Sequence, residues 1–202
     1  MKLTKYLVAA AALAITGCAS NTLVVSSRDQ TLAAPTADKA QIIFLNPAGS
    51  IGGALLSGVY DVKGSDKEFY GMLGSKTKMV QNVEPGRHLF MSHILAYSHF
   101  LDANVEAGKR YYVLLRFVYG RGLQLRPIRN SGDSEFSANN PKFDEWKNGS
   151  EFVVKTAEAD AWYAKYKNVV DEAQAKAWAE WQNKSDTQRA ELTLNKGDFV
   201  EK

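Results

Sequence analysis

With 202 residues and 25 Lys plus Arg against 22 Asp plus Glu, the chain is long enough for one domain with its own core. It is too evenly charged to project a broad field toward nucleic acid or acidic lipid. Its single cysteine excludes an internal disulfide framework, so packing must stabilise the fold.

Lys2 and Lys5 precede an apolar run from Tyr6 to Ile15 that is rich in Ala and Leu. Small residues follow, which is the layout of an export signal. A permanent span needs about twenty apolar residues, and polarity already returns at Ser20-Asn21. Ile15-Thr16-Gly17-Cys18 resembles the bacterial lipobox, and its place after the apolar run, together with the only Cys, makes the match specific. The resemblance implies cleavage before Cys18 and acylation of that residue. Two or three chains, at about 0.8 kcal/mol per buried methylene, hold durably where one myristoyl chain does not. By the same resemblance to lipoproteins of bacteria with two membranes, Ala19 stands where an Asp would signal inner-membrane retention, which points to the outer membrane. A body facing the periplasm is the expectation, although Ala19 does not itself set the face. Residues 1–17 are read as the signal peptide and 18–39 as a lipidated tether with a random-coil reach of about 25 Å. Without Lys2 and Lys5 the mature balance is 23 cations against 22 acids.

From Ala40 the texture changes to short apolar or alternating runs separated by Gly, Pro, Asn and Ser, which marks a β region. Ile42-Ile43-Phe44-Leu45 reads as a strand buried on both faces. Val59 to Val62 and Glu68 to Met72 read as strands joined by the turn Lys63-Gly64-Ser65-Asp66. Lys78 to Val83 leads to Glu84-Pro85-Gly86, where Pro fixes one φ and Gly supplies a positive one, so the chain reverses. Leu89, Met91 and His93 then face one way and His88, Phe90, Ser92 and Ile94 the other. Leu101, Ala103 and Val105 share a face opposite Asp102 and Asn104. Arg110 to Tyr119 is apolar on both faces and so central. Gly120-Arg121-Gly122 turns it onto Leu123 to Arg126, which has one wet side. Together these predict an antiparallel β-sandwich or small barrel of about seven or eight strands over residues 40–155.

Asn130 to Asn148 is read as a polar loop pinned by Phe136, Phe143 and Trp146, and Glu151 to Lys155 as a late strand. Thr156 is a good N-cap, with Glu158 and Asp160 in the first turn of a long helix within the carboxyl-terminal segment 156–202. At 100° per residue, Trp162, Tyr166, Val169, Val170, Ala173 and Ala177 form one apolar stripe. Ser185 to Gln188 resembles a capping box that restarts the helix.

Val59-Tyr60-Asp61-Val62, Val83-Glu84-Pro85-Gly86-Arg87-His88-Leu89 and Val105-Glu106-Ala107-Gly108-Lys109-Arg110-Tyr111-Tyr112, with Ile42-Ile43-Phe44, resemble an uncharacterised domain of bacterial lipoproteins related to PEGA-type β-sandwiches. The resemblance covers about 90 residues. It departs from the pattern at the Gly-rich segment Ala48 to Gly58 and in the long helix. It implies a small sandwich displayed from a membrane, and it brings no catalytic residues with it.

No Gly-x-Ser-x-Gly, His-Glu-x-x-His, reactive Cys or cleft of paired acids is present. Asp61, Asp66 and Glu68 read as solvated acids of a hairpin. His88, His93 and His99 tempt a zinc reading, but strand parity sets His88 and His93 on opposite faces, so no metal or cofactor is expected. The segment 46–58 carries Ile51, Leu55 and Leu56, which either fold into the core or contact lipid or a partner. Trp178 falls on the polar helix face beside Lys167 and Asp171, where it suits a protein or glycan contact unless a loop covers it. The expectation is a non-enzymatic lipid-anchored module that binds an envelope component. The alternative is a structural factor whose helix self-associates or lies along peptidoglycan, and a metal protein or small enzyme ranks below both.

Overall fold

The computed structural model describes residues 22–49 and 55–201. Eleven strands form two sheets. The first orders β1 (Val25–Ser26), β10 (Glu151–Val154), β5 (Thr77–Val83), β2 (Ala40–Asn46), β8 (Arg110–Val118) and β9 (Gly122–Pro127). The second orders β11 (Thr193–Leu194), β7 (Tyr97–Val105), β6 (Gly86–Ile94), β3 (Ser57–Lys63) and β4 (Asp66–Leu73). Two separate sheets make an open sandwich and not a closed barrel. The eight expected strands are all present as β2 to β9. The count rises because β10 and two two-residue edge strands, β1 and β11, extend the sheets. The sheets are also mixed and not purely antiparallel, since β2 runs parallel to β8, β10 to β5 and β11 to β7.

Both sheets are covered on both faces, which explains why so many strands read as continuous apolar runs. Between the sheets lie Ile42, Phe44, Phe90, Leu101, Tyr111 and Val113. Outside the first sheet, Ile43, Leu45, Tyr112 and Leu114 pack under Phe143 and Val200. Here the expected 130–148 loop instead contains helix α1 (Pro141–Asn148), capped by the Asn140 side chain on the Lys142 N–H at 2.9 Å. Pro141 at its first position suits a helix start. The aromatic anchors hold as expected: Phe143 is buried against Tyr112, and Phe136 and Trp146 pack on the same cluster.

Outside the second sheet lies α2 (Ala157–Gln182), capped by Thr156 on the Ala159 N–H. Ala159, Val170, Ala177 and Trp181 meet Tyr60, Phe69, Met72, Met91 and Phe100. A bulge makes this surface: the β3–β4 register shifts at Val59/Tyr60, and Gly71, at φ +136°, takes the bend. Phe69 and Met72, three residues apart, thereby share the helix-facing side while Tyr70 turns inward. The buried ammonium of Lys67 pairs with Asp171 and ties α2 to β4. A short helix α3 (Asp186–Glu191) follows, opened by the full Ser185/Gln188 capping box.

The described part of the expected tether, residues 22–39, is docked and not free coil. Val25 and Ser26 pair with Val154 and Val153, and Leu23, Val24 and Leu32 pack against the clusters. Among the described residues no helix is long and apolar enough to cross a membrane.

Candidate functional site: an apolar groove at the hairpin end

The tips of β6–β7 and β8–β9 lie at one end of the sandwich, where a Cβ on Gly122 would fall 2.4 Å from Ile94 Cγ2. Between that end and the first half of α2 runs a groove of about 450 Å³. Leu55, Leu56 and Leu23 form one wall and Trp162, Tyr166 and Val169 another, with Met72, His93 and Leu95 between them. Tyr166 and Val169 of the expected helix stripe therefore stay exposed, because the groove and not the sheet lies beneath them.

Leu95 sits in the two-residue loop between the paired Ile94 and Tyr97, at φ +55° and 70% exposed. A branched side chain at positive φ is strained, and a Leu in water contributes little to folding. Tyr119, 94% exposed at the neighbouring tip, adds an aromatic to the same end.

Of the residues singled out in the sequence, Leu55 and Leu56 line this groove. Ile51 lies outside the described residues, as do Ile15, Thr16, Gly17 and Cys18. Trp178 lines a second groove of about 440 Å³ beside Val62, Leu89 and Asp171. Its indole is 42% exposed, with an edge-on contact to Phe100 at 5.6 Å between ring centroids, so it is neither free nor covered.

The histidines are committed separately. His88 Nε2 donates to the Glu84 carbonyl at 2.8 Å, and Nδ1 lies 2.8 Å from Asp61 Oδ2, with the ring stacked on Phe90. Burial lowers the His88 pKa, but the Asp61 carboxylate and the Glu84 carbonyl outweigh it, leaving the pKa above its usual value. His93 bonds Ser98 Oγ at 3.1 Å, and burial, with Lys67 adding, pushes its pKa down to about 4. His99 Nε2 donates to the Arg121 carbonyl at 2.7 Å, and burial lowers its pKa too. Among the described residues no three His, Cys, Asp or Glu side chains cluster as metal ligands.

Asp61 overturns the reading of it as a solvated turn acid: it is buried, bonded to His88 and 3.3 Å from the Tyr70 hydroxyl. Period-two parity from Val59 puts residue 61 on the inner face, and that was the available signal. Asp66 and Glu68 are solvent-exposed as expected. The apolar end with Leu95 and Tyr119 went unforeseen, because strand alternation says nothing about which turns meet at one pole.

No protein-family model matches the chain, and no curated protein does. Among solved structures, the NMR structure of a protein from Eubacterium rectale is similar at a TM-score of 0.35 and 11% identity, covering 48% of this chain and 94% of that one.

Proposed function

We propose that this chain is an outer-membrane lipoprotein with a PEGA-like body, a non-enzymatic accessory module held by acyl chains on Cys18 with its groove end toward the lipid. One observation carries the reading: Leu23, five residues after Cys18, is part of the groove wall. Five residues of chain span at most about 18 Å. An anchor that short holds the pole bearing Leu95, Tyr119, Tyr166 and Val169 against the head-group layer, where apolar and tyrosine side chains are favoured. The occupant of the groove is then the lipid surface itself.

Self-association through α2 has less support, because Ala159, Val170, Ala173, Ala177 and Trp181 are buried on the body, and the exposed Tyr166 and Val169 belong to the groove end. The commitment of each histidine to a structural partner supports a non-enzymatic role. Intact-mass measurement on protein from its native host tests the anchor. A chain beginning at acylated Cys18 is expected, and a bare thiol or a cut elsewhere would end the proposal.

A further inference from the structure

A second site lies where edge strand β9 meets β7 and the end of α2, around a pocket of about 250 Å³. Four cations line it: Arg116 from β8, Arg121 from the β8–β9 turn, Arg126 from β9 and Lys184 just past α2. Among the described residues Glu180 is the only acid in the wall, and it pairs with Arg121 at 3.3 Å. Glu191 reaches Arg126 at 3.1 Å. Arg116 rests over the Phe136 ring, and neither it nor Lys184 has an acidic partner among the described residues. Allowing a further half negative charge for the carbonyl end of α2, about one and a half positive charges stay uncompensated. In a chain so evenly balanced overall, that local excess is distinctive.

A bonding deficit sits in the same place. The Nε–H of Arg126 is buried with no partner among the described residues, although the guanidinium is fixed by Glu191 and by the Phe136 ring at 5.4 Å. An unmade bond on a buried charged group is costly, and this one belongs to a guanidinium that lines the pocket.

We infer that this pocket binds a phosphate group. Three guanidinium forks and an ammonium, carried on four separate segments, suit the several oxygens and the near double charge of a phosphate. A carboxylate offers two oxygens in one plane and a single charge. Arg121, His99 and Ser98 also line a neighbouring hollow of about 290 Å³ reaching Tyr97 and Gly120 at the hairpin end. The phosphate can therefore come from a lipid head group or from a soluble molecule. The site does not depend on the anchor, since its residues all belong to the folded body.

The test uses the full chain in detergent, titrated calorimetrically with inorganic phosphate and with pyrophosphate. A second arm reads arginine modification at positions 116, 121 and 126 in proteoliposomes of phosphatidylcholine with and without phosphatidylglycerol. The Arg116→Gln/Lys184→Gln double variant removes two cations that pair with no acid among the described residues, so its melting temperature should match wild type while binding weakens at least tenfold. Binding of the free anions identifies a soluble source, and protection only with phosphatidylglycerol identifies a head group. The inference is overturned if millimolar phosphate and pyrophosphate leave no heat and the lipid leaves no protection. It is equally overturned if a folded double variant binds as wild type does.

Discussion

Leu95 offers a prediction in which stability and surface contact move in opposite directions. At φ +55° an L-residue carries a cost of about 1–2 kcal/mol, and Asn tolerates such turn positions far better. Because Leu95 is 70% exposed, replacing it forgoes at most about a third of the 1.5–3 kcal/mol that full burial of Leu contributes, or about 0.5–1 kcal/mol. Leu95→Asn should therefore leave the fold more stable by up to about 1 kcal/mol, which for a domain of this size raises the melting temperature by up to about 4 °C. Thermal and chemical unfolding of the full chain in detergent measures this directly. The same variant should loosen contact of the hairpin end with lipid, because its most prominent apolar side chain there is gone. A clear loss of stability would mean that Leu95 supports the fold, and the reasoning from strain and exposure to a contact surface would fail.

Other substitutions test the packing. Tyr60 is fully buried between Phe69 and Tyr163 with a hydroxyl that has no partner among the described residues, so Tyr60→Phe should stabilise by about 1 kcal/mol. Gly58→Ala should destabilise, since its Cβ would fall 2.6 Å from that hydroxyl; denaturant midpoints read both. Phe143→Ala should cost about 3–5 kcal/mol by emptying the site under α1, again read by denaturation. The histidines set a stability maximum near pH 6.5. With its folded pKa at about 4, His93 takes up protons only on unfolding between those values, so stability falls by up to roughly 3 kcal/mol on acidification from 6.5 to 4. His88 is raised, so its contribution is complete below 6.5 and is lost as pH climbs through its folded value. Denaturation across pH with NMR titration of the two rings checks both limbs, and Asp61→Asn should flatten the alkaline one.

The parts of this fold legible in the sequence were those set by local alternation and by turns with obligatory chemistry. The run Ile42 to Leu45, the Pro85-Gly86 turn, the two-faced strand from Arg110 and the Thr156 cap all appear as read. What escaped depended on distant pairing. β1 and β11 are two residues each and exist only because β10 and β7 offer open edges. α1 was hidden by its polarity, with Phe143 the only fully buried residue in it. The groove was half visible: Leu55 and Leu56 stood out as apolar residues in a Gly-rich segment, but nothing local announced that Leu23 and Leu95 would join them.

Depth-dependent fluorescence quenching in proteoliposomes tests the central claim most directly. A probe at position 119, on the hairpin end, is compared with one at position 109, in the turn at the other end of β8. Brominated acyl chains should quench the first strongly and the second hardly at all. Equal quenching at both sites, or stronger quenching at 109, would contradict the orientation and with it the assignment of the groove to lipid.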